Sequence, residues 1–202
     1  HDCDDVLILS GDQLYQMDYR TLRSTHVAAN ADITVAVTPV DALSAPGFGI
    51  LKVDETGRIV HFHEKPNPDE LSDLKSELPG GGEGYLASMG IYIFKRGALE
   101  QTLALDASMD FGKHIIPGSI ANLKVQSHVF HGYWEDVGTI RSYYEANLGL
   151  CQPVPRFDFY DVRMPVHTHA RALAGTKIEG SRMKNVLVSE GSIIVDADMD
   201  RT

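Results

Sequence analysis

The sequence predicts an α/β layer fold with a mixed sheet, then a linker, then the start of a second, repeat-built domain. Three observations carry that expectation. Val6–Leu9 is a run of four apolar residues closed by Ser10-Gly11-Asp12, the pattern of a short strand buried on both faces. From there to about residue 150, β-branched strand patterns alternate with helical ones. Over residues 152–176 periodicity stops and prolines and glycines accumulate; beyond it Leu187, Ile193 and Met199 recur every six residues, as in a hexapeptide β-helix. The expected boundaries are 1–151, 152–176 and 177–202.

Taken in order, Asp18 reads as the N-cap of a helix carrying Tyr19, Leu22, His26 and Ala29 at helical spacing. Asp32–Thr38 alternates and is β-branched, so it reads as a strand. Phe48–Val53 and Arg58–His63 are two strands joined by the turn Asp54-Glu55-Thr56-Gly57. Residues 66–84 form a surface excursion with one helical turn at 69–76 and a flexible tip at Gly80-Gly81-Gly82. Tyr85–Phe94 is an apolar strand, Ala98–Leu105 a helix, and Asp110 opens a helix to about Ala121 despite Pro117. Lys124–Phe130 alternates as a strand, and Thr139 caps a helix through about Leu150.

Composition narrows the function classes. A formal net charge of −10 argues against a nucleic-acid partner, because phosphate backbones need a basic surface. A small phosphorylated ligand needs only one or two local cations and stays open. No apolar run approaches the roughly 20 residues of a membrane helix. Cys3 and Cys151 make no metal-ligand spacing and read as free thiols of a cytosolic protein. The chain opens on His1-Asp2-Cys3 and stops inside a periodic segment, and is expected to be a fragment of a longer one.

Four places could carry chemistry. Asp12, just past the first strand, can hold a hard cation against a phosphate or simply cap a turn. Asp136, in Trp134-Glu135-Asp136-Val137-Gly138, supplies a second acid at a strand-to-helix junction; the two aspartates could share one Mg²⁺. In Glu64-Lys65-Pro66, the proline is expected to hold Lys65 extended, so that its ammonium projects from a strand end toward a phosphate while Glu64 accepts from sugar hydroxyls. A solvated Glu–Lys pair is the plainer alternative. His61 with His63, and His167 with His169, share strand faces without the further ligands zinc requires, and read as surface histidines. Asp2, Asp4 and Asp5 read as a solvated strand entrance.

Several motifs in order then resemble one family. Leu9-Ser10-Gly11-Asp12-Gln13-Leu14-Tyr15 with Met17-Asp18-Tyr19, Phe48-Gly49, Glu64-Lys65-Pro66, Ala87-Ser88-Met89-Gly90-Ile91-Tyr92, Asp110-Phe111-Gly112 and Tyr133-Trp134-Glu135-Asp136-Val137-Gly138-Thr139 resemble the ADP-glucose pyrophosphorylases, the glucose-1-phosphate adenylyltransferases. The likeness runs from residue 5 to residue 150, and Phe159-Tyr160-Asp161 fits that family's linker. The resemblance implies a Rossmann-like nucleotidyltransferase layer followed by a left-handed parallel β-helix. It implies the reaction of ATP with glucose 1-phosphate to ADP-glucose and pyrophosphate, the committed step toward glycogen or starch. On that pattern Asp12 and Asp136 hold Mg²⁺ and the reacting phosphates, Lys65 binds the sugar phosphate, and Gly49, Glu64 and Ser88 line the sugar pocket. It further implies an allosteric homo- or hetero-tetramer, in the cytoplasm or, in a plant, the plastid stroma.

There are two departures. Gln16 stands where the family commonly has a basic residue, and the family's N-terminal glycine-rich loop is not among these residues. The expectation is therefore the sugar-phosphate half of a site without its nucleotide half. The competing readings are another sugar-1-phosphate nucleotidyltransferase, or a non-catalytic regulatory subunit on the same fold.

Overall fold

The computed structural model describes residues 3–78, 81–105, 110–169 and 171–202. In chain order its elements are β1 (Asp5–Ile8), β2 (Gln13–Tyr15), α1 (Tyr19–Ala28), β3 (Ile33–Val40), β4 (Gly49–Val53), β5 (Ile59–Glu64), β6 (Ser76–Glu77), β7 (Glu83–Lys95), α2 (Arg96–Leu105), α3 (Ile116–Ser119), β8 (Val125–Val129), β9 (Trp134–Asp136), α4 (Ile140–Leu150), β10 (Lys177–Glu179), β11 (Arg182–Lys184), β12 (Ile193–Val195) and β13 (Asp198–Asp200). Short 3-10 turns cover Ala45–Gly47 and Pro68–Leu74, and a π turn covers Phe111–Ile115. Contacts divide the chain into two units: one holds residues up to Gly11 and Met17–His131, the other Asp12–Gln16 and Gly132–Thr202.

The first unit is a mixed sheet ordered β5-β4-β7-β3-β8, with β3 and β8 parallel and the remaining pairs antiparallel. Its spine is β7, whose aromatic and β-branched residues suit a pleated, buried surface. On one edge β7 pairs with β3 along its length. The other edge is shared: β1 takes Tyr92–Lys95 and β4 takes Leu86 and Ala87. Between these two partners Gly90, at φ +66°, turns the strand; its carbonyl accepts from Ser10 N–H at 3.1 Å and its N–H donates to Ser88 Oγ at 3.3 Å. Opposite that point the β3 ladder steps from Val35↔Tyr92 to Val37↔Ser88, so β7 carries two extra residues. Such bulges re-aim side chains and cluster near active sites.

One sheet face packs Ile33, Val35, Val37, Leu51, Phe62, Leu86, Tyr92 and Phe94 against Ile115 and Ile116. Each fully buried Leu, Ile or Phe there contributes roughly 1.5–3 kcal/mol. The smaller cluster on the other face joins Ile50, Tyr85 and Ala87 to Leu71 and Leu74. The segment expected as a surface excursion is thus partly core: its 3-10 turn is closed by an Asn67–Glu70 capping box, which lets two leucines turn inward. Gly80 of the expected tip lies outside the described residues, while Gly81 and Gly82 both have positive φ.

Three further expectations are corrected. β1 is not buried on both faces in parallel surroundings: it pairs antiparallel with β7, and Leu7 stays 40% exposed. Four apolar residues in a row cannot distinguish that half-covered position from a covered one. Asp110 does cap the next segment, accepting from Lys113 N–H at 2.9 Å, but a π turn and the short α3 replace one continuous helix. In the second unit β10 pairs with β12 and β11 with β13, all parallel, at a sequence offset of 16 (Ile178↔Ile194, Met183↔Met199). One coil therefore spans 16 residues, and of the three residues read as a six-residue repeat Leu187 and Ile193 are exposed while Met199 is half-buried; Leu187 N–H donates to Thr202 O at 2.8 Å. Also in this unit, β2 pairs with β9 as a two-stranded ribbon, and Thr139 caps α4 by accepting from Ser142 N–H at 3.0 Å. No helix among the described residues is long and apolar enough to cross a membrane.

Candidate active site

In the sheet unit the Glu64 carboxylate is the centre of a polar cluster. The β4–β5 register sets Gly49 opposite Glu64. A Cβ on Gly49 would meet Phe62 Cζ at 2.5 Å and Glu64 Oε2 at 2.6 Å; one on Gly112 would meet the same Oε2 at 3.0 Å. Two glycines thus let the backbone close around one carboxylate, the close approach for which glycine is suited. Burial raises the Glu64 pKa and the Asp110 charge adds to it, while Lys65 and Lys113 pull it back down. Tyr92 stacks on Phe111 with centroids 5.7 Å apart and meets Phe94 edge-on. Its phenol is raised by burial and by the Glu64 and Asp110 charges, and is hydrogen-bonded to Ser88.

Gly49, Glu64 and Ser88 therefore fall in this neighbourhood, joined by Tyr92, Asp110 and Gly112. Sequence reasoning gave those last three no site role: Asp110 read as a cap and Tyr92 as an apolar strand residue. The four-residue step from Ser88 to Tyr92 across Gly90, and a glycine two after Asp110, were the available signals. Lys65 is exposed and sits directly after β5, but not extended: its φ is +49°, with its N–H donated to Phe48 O at 3.0 Å. That hydrogen bond closes the hairpin end and holds the left-handed turn against the usual pre-proline preference.

In the second unit the two aspartates converge. Val137 N–H donates to Asp12 O at 3.0 Å, extending the ladder in which Gln13 faces Asp136. A Cβ on Gly138 would meet Asp136 Oδ1 at 2.9 Å and Asp12 Oδ2 at 3.0 Å, so both carboxylates border one small space. Asp136 Oδ1 also accepts from Gly138 N–H at 2.8 Å. Among the described residues no group of three or more His, Cys, Asp or Glu is arranged to hold a metal ion. Two carboxylates are nonetheless the protein share that Mg²⁺ takes when waters and substrate phosphates complete its shell, so the residues fit that ion. Gln13, opposite Asp136 in the ladder, has its Oε1 buried without a partner among the described residues.

The histidine pairs stay peripheral: His61 and His63 stand edge to edge at 6.4 Å, with His63 3.6 Å from Glu70, and His167 and His169 are exposed. The acidic entrance is not merely solvated, since Asp5 lies 3.5 Å from Arg23 and 3.7 Å from the buried His26; Asp2 lies outside the described residues.

The first unit is a mixed, Rossmann-like sheet with an acid–lysine corner, and the second carries the converging pair of aspartates. The chain belongs to the nucleotidyl transferase family, whose model matches residues 1–152. Membership implies nucleoside triphosphate and sugar phosphate as the substrates of transfer.

Proposed function

We propose that this protein transfers the adenylyl group of ATP to glucose 1-phosphate, giving ADP-glucose and pyrophosphate for glycogen or starch synthesis. The observation that carries the reading is the convergence of Asp12 and Asp136 on the space beside Gly138, within a family of nucleotidyl transferases. The choice of adenylyl and glucosyl partners rests on Ala87-Ser88-Met89-Gly90 together with Trp134–Thr139. In this reading residues 1–151 belong to a catalytic domain, 152–176 are a linker and 177–202 belong to a left-handed β-helix.

The chemistry is an in-line displacement. An oxygen of glucose 1-phosphate forms a bond to the α-phosphorus of ATP, and the bond from that phosphorus to the β-bridging oxygen breaks, releasing pyrophosphate. Asp12 and Asp136 would hold Mg²⁺, which when bound neutralises charge on the reacting phosphates. Lys65 meets the phosphate of the sugar as a compact point charge. Glu64 accepts from sugar hydroxyls, and Gly49 and Ser88 shape the wall beside it. Such transfer needs little covalent work from the protein beyond positioning and charge neutralisation.

The test is a panel: the protein with glucose 1-phosphate and each of ATP, GTP, UTP and dTTP, reading pyrophosphate release. ATP is expected to exceed the others by orders of magnitude. Preference for another triphosphate would make it a different sugar-1-phosphate nucleotidyltransferase. Absence of turnover with all four would favour a regulatory subunit, against which the joint presence of Asp12, Lys65 and Asp136 now argues.

A further inference from the structure

We infer that Gly138 is a positioning residue for the cation site: its missing side chain is what allows the Asp12 and Asp136 carboxylates to share one ion. The inference rests on the function proposed above. Its evidence is local and lies wholly within the second unit. The place of a Gly138 Cβ is bounded by Asp136 Oδ1 at 2.9 Å, Asp12 Oδ2 at 3.0 Å and Asp12 Cγ at 3.8 Å. A methyl at that place would stand where the two acids face each other. Gly138 does not have the positive φ that would itself demand glycine, since that set comprises Gly57, Gly81, Gly82, Gly90, Gly180 and Gly191 among the described residues. The backbone therefore accepts alanine, and only the methyl is at issue.

The consequences divide cleanly between fold and site. Both atoms that a methyl would crowd are ends of side chains, so they can swing away with little harm to the fold. Asp136 would then give up its bond from Gly138 N–H, and Asp12 would move off the shared space. The glycine thus supplies two things: an N–H that fixes one oxygen of Asp136 at 2.8 Å, and room for Asp12 opposite it. Neighbours that orient metal-binding side chains typically change metal affinity about 10- to 100-fold when altered.

Trp134, the single tryptophan of the chain, lies two residues before Asp136 and serves as a built-in antenna. Tb³⁺, an oxygen-seeking ion, is titrated into wild type, Asp12→Asn, Asp136→Asn, Gly138→Ala and the Asp12→Asn/Gly138→Ala double variant. Tryptophan-sensitised luminescence is read, with Mg²⁺ as competitor and melting in chelator as the control for folding. Expected are Mg²⁺-displaceable binding by wild type, its loss in both Asn variants, and about 10- to 100-fold weaker binding by Gly138→Ala at an unchanged melting temperature. In the double variant melting in chelator should match that of Asp12→Asn, because a positioning effect leaves the fold intact; a general structural defect would lower it further. Undiminished Tb³⁺ binding by Gly138→Ala, with both Asn variants defective, overturns the inference and leaves the acid pair standing. Binding unaffected by either Asn substitution overturns the acid pair itself, and the inference with it.

Discussion

At the scale of the residue, Lys65 separates backbone from charge. Its φ of +49° is a conformation that costs a non-glycine residue about 1–2 kcal/mol. The hydrogen bond to Phe48 O holds that turn and leaves the side chain exposed, where the proposed function has it meet an anion. Lys65→Ala is expected to raise KM for glucose 1-phosphate by about ten- to a hundredfold, the 1.5–3 kcal/mol of a charge-assisted contact, with KM for ATP and kcat little changed. Lys65→Arg should recover part of the loss. Lys65→Gly gives the sharper contrast: the same kinetic defect with thermal stability no lower than wild type, since glycine relieves the left-handed strain. A defect confined to kcat, or shared equally between both substrates, would place the lysine elsewhere. Asp12 and Asp136 were legible from sequence because each is an acid at a strand end. The departure of Lys65 from extended geometry was not, because the hydrogen bond from its N–H to Phe48 O joins residues 17 apart in sequence.

At the scale of the element, the strands and helices themselves were largely legible, for α1, β3, the β4–β5 hairpin, β7, β8 and α4 lie within a few residues of their expected spans. What local pattern could not supply was pairing. That β1 and β4 divide one edge of β7, and that β10 to β13 advance by 16, are facts of register between distant segments. The hairpin carries its own test. Gly49 stands where a Cβ would overlap both the buried ring of Phe62 and the half-buried carboxylate of Glu64. Gly49→Ala should therefore destabilise by about 1–3 kcal/mol, the usual toll of overpacking. It should also weaken glucose 1-phosphate binding by displacing Glu64. Chemical denaturation and KM, measured on the same sample, check both halves.

At the scale of the whole molecule, stability should respond to mild acid through His26. The ring is 2% exposed; its Nδ1 lies 2.7 Å from Thr34 Oγ1 and its Nε2 is buried without a hydrogen-bond partner among the described residues. Burial holds its pKa below the usual 6.5, with Asp5 and Asp32 pulling it up and Lys95 and Arg23 pushing it down. The folded state thus binds fewer protons than the unfolded one between that lowered value and 6.5. Stability is full above the unfolded pKa and falls as pH drops through this window. His128, lowered by burial and by His131, acts in the same sense. Urea midpoints of wild type and His26→Gln, followed from pH 8 down to 5, should therefore converge as pH falls. Parallel curves would show that His26 does not couple protons to folding.

The bulge in β7 has a consequence for phase. Because its surplus is two residues, an even number, the strand's alternation of sides resumes in step on the far side. Leu86 before it and Tyr92 and Phe94 after it accordingly face the same core, while Tyr85 and Ala87 face the other. The segment behaves like a reading frame. Losing one residue from Met89–Ile91 would turn every later side chain of β7 to the wrong side of the sheet. Losing two would restore the frame and keep the core, yet straighten the strand at the one place where it turns Ser88 toward Tyr92. An insertion of this length is thus a change that the core tolerates and that a smooth strand cannot supply.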